Sequence, residues 1–380
     1  DHPIALEGEL SGCPWNPGHR LLRIGIKGKS IPRDQLPPSN FVLLIDVSGS
    51  MSSADKLELA KVAFAKMVQW LQPHDRVAIV TYAGSSGVAL PSTPGDQKQT
   101  ILDALFALQP GGSTNGAEGI LTAYQIAEEH FVEGGNNRVI LATDGDFNVG
   151  ISNQNELVAL IEEKRASGVF LTVLGFGTGN LQDGKMEQIA NHGNGTYEYI
   201  DSEKQAEKVF VQEFGKFYTV AKDVKVQIRF NEQTVKAWRL IGYENRLLQN
   251  EDFEDDTKDA GEIGAGQCIT ALYELVPQTV SWSLAPAITV DFRYKQPDSE
   301  ASIPLTLELF DEDVSFAAAS PAQKFAAAVA AWAMLLRESE YAGSATWDLV
   351  EDWAQQGMSY DPFGFKAEFL DLVDLARNAP

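Results

Sequence analysis

Between residue 39 and about residue 215 the chain alternates short apolar runs with amphipathic stretches. The runs are FVLLI (41–45), RVAIVTY (76–82), RVILAT (138–143), VFLTVLGFG (169–177) and GTYEYI (195–200). The first four are apolar at consecutive positions and rich in Val, Ile and Leu, the pattern of strands covered on both faces. Between them Leu57, Ala60, Phe64, Met67, Val68 and Leu71 recur at helical spacing. Ile101, Ala104, Leu105 and Leu108 do the same, as do Leu157, Leu160 and Ile161 up to the polar edge at Lys164. The stretch 202–218 reads as a closing helix. Strand and helix signals in alternation predict an open, mostly parallel, doubly wound α/β sheet.

The period changes near residue 220. DVKVQIRF (223–230), VKAWRLIGY (235–243), QCITALYEL (267–275), ITVDFRY (288–294) and PLTLELF (304–310) alternate apolar and polar positions with no helix between them. That predicts antiparallel strands with one wet face. LLRIGIKG (21–28) carries the same signature, with Leu22, Ile24 and Ile26 set against Arg23, Gly25 and Lys27. The chain therefore reads as an N-terminal strand or strands (1–37), a doubly wound domain (38–218), a β-sandwich (219–314) and a C-terminal helical region (315–380). The doubly wound domain would be inserted in the antiparallel sandwich, which nearby termini permit. IPRDQLPPSN (31–40) is the expected junction. Ser320-Pro321 is a good helix start. Phe325, Val329, Trp332, Leu335 and Leu336 form one expected buried stripe, and Phe365, Phe369, Leu372, Val373 and Ala376 another.

A length of 380 residues suits two or three domains. The formal charge of −23, from 30 basic and 53 acidic residues, disfavours nucleic acid and anionic membrane surfaces and suits divalent cations. The longest apolar helix candidate, FAAAVAAWAMLL (325–336), is too short for the ~20 residues of a membrane span. The first residue is Asp1, so the expectation is a processed or shortened N-terminus with any targeting signal upstream. Cys13 and Cys268 are read as two buried free thiols, with one long-range disulfide as the alternative.

DVSGSM (46–51) closes the first apolar run, so Asp46, Ser48 and Ser50 fall at the carboxyl end of a central strand. Ligands of open sheets bind at that edge. ATDGD (142–146) places Asp144 at the end of a second strand, and the glycine-rich PGGSTNG (110–116) offers Ser113 and Thr114. Together these loops would gather only oxygen donors, the set that hard cations such as Mg²⁺ take; no Cys or His accompanies them, which disfavours Zn²⁺. Turn or helix capping is the bland alternative, and it weakens when Asp46, Ser48, Ser50, Thr114 and Asp144 are taken together.

Other signals carry less. Asp144, Asp146 and Asn148 begin like a calcium-binding helix-loop-helix, but Val149 and Asn155 stand where glycine and glutamate are required. GNLQDGKM (179–186) has part of a phosphate loop, with Met186 where a hydroxyl should hold Mg²⁺. The acidic stretch 251–262, with seven carboxylates and one lysine, reads as a solvated loop or a second cation site. His2, His19, His74, His130 and His192 make no ligand spacing.

DVSGS, the threonine of GGSTN and TDG resemble the metal-ion-dependent adhesion site of von Willebrand factor type A domains over about residues 38–216. CPWNPGHRLLRIGIKG, YENRLL, EDF, DAGEIGAG and AAVAAWAMLLRESEY resemble bacterial von Willebrand factor A proteins with a C-terminal domain of unknown function. The resemblance implies that Ser48, Ser50 and Thr114 ligate a metal, and that Asp46 and Asp144 do so directly or through water. It implies Mg²⁺, with Mn²⁺ or Ca²⁺ as alternatives, and a partner protein whose carboxylate completes the metal sphere. It further implies a non-enzymatic adhesion or scaffold module outside the cytoplasm, periplasmic or at the cell surface, with a lipoprotein-type signal upstream. A metal-dependent hydrolase and a structural envelope protein with a stabilising metal are the alternatives. The last helix of such domains shifts between two positions, which makes 202–218 a candidate moving element.

Overall fold

The structure, a computed structural model, describes all residues except 1, 84–85, 113–115, 146–153, 179–180, 243–252, 254–259, 279–284 and 379–380. Two antiparallel strands, β1 (Ile4–Gly12) and β2 (Arg20–Gly28), open the chain. β3 (Ser39–Asp46) follows and is buried at every position. Its alternate side chains serve two cores, which is why its sequence shows no polar alternation. Phe41, Leu43 and Ile45 pack with Phe64 and Met67 of α1 (Leu59–Gln69) and Ile101 and Leu105 of α2 (Lys98–Phe106). Val42 and Leu44 pack on the opposite side with Ile120 and Tyr124 of α3 (Gly116–Glu129) and Ile161 of α4 (Gln154–Ala166).

β4 (Arg76–Tyr82), β5 (Ser86–Pro94), β6 (Asn136–Thr143), β7 (Phe170–Phe176) and β8 (Tyr197–Ile200) complete a six-stranded sheet of order β5-β4-β3-β6-β7-β8. All pairings are parallel except β4 with β5. The chain leaves β3 on one side to form β4 and β5, then returns to lay β6 on the other side. The switch point therefore lies between β3 and β6, the position at which ligand crevices open in such sheets. β5 escaped the sequence reading because SGVALPSTP is polar and carries two prolines, as edge strands do. Helix α5 (Asp183–His192) begins within the suspected phosphate loop, of which 179–180 lie outside the described residues, and the Asp183 carboxylate accepts the Tyr197 hydroxyl.

The expected helix over 202–218 is broken. α6 (Glu203–Glu207) gives way to a π-helical turn at Lys208–Gln212 and a 3₁₀ turn at Phe214–Phe217. Arg33 satisfies the carbonyls left at the break: its guanidinium lies 4.5 Å from the Trp70 ring centre and 4.7 Å from that of Phe214. From there it takes the Phe210 and Val211 carbonyls at 3.2 and 3.3 Å, which a continuous helix would have used internally. Phe210 and Phe217 are fully buried in the core of α1.

The remaining strands form two antiparallel sheets. One, of order β1-β2-β12-β10, uses β10 (Val235–Ile241) and β12 (Cys268–Pro277). The other, of order β11-β9-β13-β14, uses β9 (Thr219–Phe230), β11 (Gly261–Gly264), β13 (Ile288–Lys295) and β14 (Ser302–Leu309). Leu22, Ile24 and Ile26 meet Ile288, Val290 and Phe292 between the sheets. β2 pairs directly with β12, so the doubly wound sheet lies in sequence between strands of one sandwich. Of the acidic stretch 251–262, residues 251–252 and 254–259 lie outside the described residues. Phe253 within it is buried, and its carbonyl accepts Arg293 at 3.2 Å.

The second face of β2 is buried except at Lys27. Leu21 and Leu272 are covered by α7 (Pro321–Leu336), with α8 (Trp347–Gln356) and α9 (Phe365–Arg377) beyond it. Arg23 is 7% exposed and bridges Glu7 at 2.6 Å and Glu9 at 3.4 Å. The buried face of α7 also differs from the expected stripe: Gln323, Ala327, Ala328, Ala330, Ala331 and Met334 are buried, while Val329 and Leu336 are exposed. Small residues let the helix approach the sheet closely, and the larger Phe325 and Trp332 flank it to contact Phe369 of α9, the latter buried with Val373 as expected. Among the described residues no helix is long and apolar enough to cross a membrane.

Polar contacts tie this layer down. Ser320 caps α7, its Oγ accepting the Gln323 amide at 3.1 Å, and buried Gln323 donates to the Leu21 carbonyl at 2.9 Å. Ser320→Ala is expected to cost about 1 kcal/mol, read as a lower urea midpoint at unchanged slope. Glu274 of β12 accepts Trp15 Nε1 at 3.1 Å, pairs with His19 Nδ1 at 2.6 Å and binds Arg239. Cys13 is buried and Cys268 exposed, and both are free thiols; burial and the Glu274 charge push the Cys13 thiol up to about 12.

Candidate metal centre

Asp46 is the last residue of β3 and has no exposed surface. The chain then turns sharply: the Val47 amide donates to the Tyr82 carbonyl at 3.1 Å, and a 3₁₀ turn spans Gly49–Ser52. A second loop is stitched to the first. The Gly111 amide donates to the Val47 carbonyl at 2.7 Å, and the Gly49 amide donates to the Gly112 carbonyl at 3.3 Å. The glycine-rich segment expected to approach DVSGS therefore does so through Gly111 and Gly112. Ser113 and Thr114, which follow, lie outside the described residues, as do Asp146 and Asn148.

Asp144 follows β6, the neighbour of β3, and is also fully buried. Asp46 and Asp144 thus share one edge of the sheet at the switch point. Asp46 Oδ1 accepts the Ser48 amide at 2.8 Å, while its Oδ2 accepts the Tyr82 hydroxyl at 3.2 Å and the Thr143 hydroxyl at 3.4 Å. The Ser48 and Ser50 hydroxyl oxygens stand 2.9 Å apart. Ser48 is buried and Ser50 exposed, so the oxygen row runs from the sheet edge toward solvent.

Burial raises the Asp46 pKa, and the Asp144 charge adds to this against the lowering donation from Ser48 and Tyr82. Burial, then the Asp46 charge, holds the Tyr82 hydroxyl well above its ordinary range, so it remains a donor. Two carboxylates at one buried edge are costly unless a positive charge accompanies them. Lys56 supplies one: its Nζ lies 2.9 Å from Asp144 Oδ2. The donors are carboxylates and hydroxyls, the oxygen set that hard divalent ions take. Among the described residues no three His, Cys, Asp or Glu side chains form a metal-holding cluster. The arrangement here has two carboxylates, with hydroxyls making up the rest.

The sequence places Asp46, Ser48, Ser50 and Asp144 at the ends of two strands, and the structure brings them to one sheet edge. Tyr82, Thr143 and Lys56 were not singled out. Thr143 sits inside the TDG triplet and Tyr82 ends the apolar run beside β3, so both had a positional signal; Lys56, six residues beyond Ser50, had none.

Comparison with known proteins agrees with this architecture. Residues 40–212 match the family described as von Willebrand factor type A domain. Residues 215–379 match the family described as "Uncharacterized protein YfbK, C-terminal". The chain is 42% identical to "Uncharacterized protein YfbK" of Escherichia coli (strain K12), over 98% of this chain and 68% of that protein. It is 30% identical to the human inter-alpha-trypsin inhibitor heavy chain H3 over 44% of this chain and 20% of that one. A solved von Willebrand factor type A protein from Catenulispora acidiphila shares the fold at 15% identity and a TM-score of 0.52, over 99% of this chain and 89% of that one. The chain thus belongs to the von Willebrand factor type A family, in the branch that carries the YfbK-type C-terminal domain.

Proposed function

We propose that this chain is a non-enzymatic, cation-dependent protein-binding module of the bacterial cell envelope, an adhesion or scaffold component. The observation that carries the reading is the pair of buried carboxylates, Asp46 and Asp144, beside the Ser48–Ser50 hydroxyl row at the β3/β6 switch point. Its membership of a family whose domains mediate protein–protein interaction supports it. Ser48, Ser50 and Thr114 act as ligands, and Asp46 and Asp144 serve directly or through water. Mg²⁺ is the proposed ion, with Mn²⁺ and Ca²⁺ accepted by the same oxygens. When bound, the ion supplies an open, electrophilic position for a carboxylate of the partner. The chain's own part is orientation: Tyr82 and Thr143 hold the Asp46 carboxyl, and Gly111 and Gly112 are hydrogen-bonded to the DVSGS turn.

The test is affinity capture from an envelope extract, with wild type and Asp46→Ala, each in Mg²⁺ and in EDTA. The expected result is a protein retained only by wild type in Mg²⁺. The same proteins in all four samples would sink the proposal. Mg²⁺-dependent hydrolysis of phosphate or ester substrates that disappears in Asp46→Ala would instead favour the enzyme alternative.

A further inference from the structure

Lys56 is built into the candidate metal centre. Its Nζ lies 2.9 Å from Asp144 Oδ2 and 3.0 Å from the Ser50 carbonyl oxygen, so it joins both halves of the ligand row. Only 12% of its side chain is exposed. The stem is seated by Gly177, which follows β7 at a φ of +77°; a Cβ at that position would fall 2.4 Å from Lys56 Cε. Glycine suits Gly177 on two counts, the left-handed backbone and the space the lysine stem fills. The Tyr199 hydroxyl donates to the Gly177 carbonyl at 3.0 Å and steadies that seat. Lys56 itself projects from a π-helical turn, Ala54–Glu58, between the DVSGSM turn and α1. Such single turns are frequent at functional sites because they redirect a side chain that a regular helix would aim elsewhere.

We propose that Lys56 is a tethered counter-ion of the metal centre, competing with the divalent cation for Asp144 and setting the affinity of the site. The inference rests on the metal-binding reading above. Among the described residues at this edge, Asp46 and Asp144 offer two negative charges, and Lys56 returns one. A dication bound at Asp144 would stand beside the ammonium that pairs with the same carboxylate, and two like charges a few ångströms apart repel strongly away from bulk water. Cation entry therefore requires the ammonium to leave Asp144. The flexible four-carbon stem of lysine allows this, and the exposed turn at Ser50 is the route to solvent. In the absence of a dication the same ammonium offsets the Asp144 charge, so the loops keep their shape. Removing the charge should tighten cation binding and weaken the cation-free fold, two effects that a merely structural lysine would not produce together.

The experiment measures Mn²⁺ binding by titration calorimetry and paramagnetic resonance for wild type, Lys56→Met, Lys56→Gln and Asp46→Ala, with thermal melting of each in EDTA and in Mn²⁺. Methionine keeps the stem over Gly177 without the charge; glutamine keeps a donor toward Asp144 and guards against a folding defect in the first variant. Both Lys56 variants are expected to bind Mn²⁺ at least tenfold more tightly than wild type, to melt lower than wild type in EDTA, and to regain that loss in Mn²⁺. Equal or weaker binding by both variants, with wild type binding normally, would overturn the counter-ion role and make Lys56 a residue that positions Asp144 for the metal. If wild type and both Lys56 variants all bind no more Mn²⁺ than Asp46→Ala, the metal reading itself fails, and this inference with it.

Discussion

Glu274→Ala is expected to lower the stability of the sandwich and its helical cover by about 3 kcal/mol, the low end for breaking a buried ion pair. Glu274 is 8% exposed at its side chain and takes Trp15 Nε1, His19 Nδ1 and Arg239 at once. Trp15 is buried in the core shared with α7 and α8, its ring 6.4 Å from that of Trp353. Alanine would leave the indole N–H without its acceptor and Arg239 facing Met334 without its carboxylate. The cost stays at the low end because Arg239 and His19 keep 22% and 27% of their side-chain surface in water. Burial works against ionisation of Glu274, but donation from Arg239, His19 and Trp15 outweighs it and holds the carboxyl below its ordinary value of 4.5. A depressed folded-state pKa gives stability that is present above the unfolded value and lost as pH falls through the folded one. The gap between wild type and Glu274→Ala should therefore be full at pH 7 and should narrow below about pH 4.5, the unfolded-state range. Urea melts at both pH values decide this; a gap that widens in acid would contradict it.

Gly119→Val should act on both fold and site. Gly119 lies in α3 where the helix meets β3 and β4, and an added Cβ would fall 2.8 Å from Tyr82 Cβ and 3.3 Å from a Leu44 methyl. Neither atom can move far: Tyr82 and Leu44 are fully buried in the core between α3 and the sheet. Overpacking of this kind costs about 1–3 kcal/mol, and a branched side chain belongs near the upper end. Tyr82 is also the residue whose hydroxyl holds Asp46 Oδ2, so a displaced ring shifts the carboxyl. The expected outcome is a lower melting temperature together with weaker Mn²⁺ binding, with Gly119→Ala intermediate in both. Wild-type values for Gly119→Val would show that α3 has room to move away from Tyr82 at no cost, against the close packing of helix on sheet.

The doubly wound sheet was readable from the sequence because β3, β4, β6 and β7 bury both faces, and burial on both faces is what leaves an uninterrupted apolar run in a short strand. The sandwich was readable for a related reason: one buried face imposes a period of two on β9 and β13. The same period misled at β2, where Arg23 and Gly25 suggested water. Burial of Arg23 goes with its pairing to Glu7 and Glu9 on the neighbouring strand, a cross-strand register that spacing along β2 does not encode. The alanine-rich face of α7 was misjudged because hydrophobic size, read along one helix, favours Phe325 and Val329. How close the helix can come to a sheet is a property of both surfaces. The carbonyls at the break in the closing segment are likewise taken by Arg33, 177 and 178 residues earlier in the chain.

At the candidate metal centre the division follows the same physics. The position of Asp46, Ser48, Ser50 and Asp144 at a sheet edge was legible by itself, because each follows directly on an apolar run or its turn. Thr114 also came from the sequence, and the structure brings its neighbours Gly111 and Gly112 to the site. Only the tertiary structure could bring Lys56 onto Asp144, 88 residues away, and give its stem a seat on Gly177. Short-range composition determines which donors stand at a sheet edge; the charge that answers them is chosen by packing.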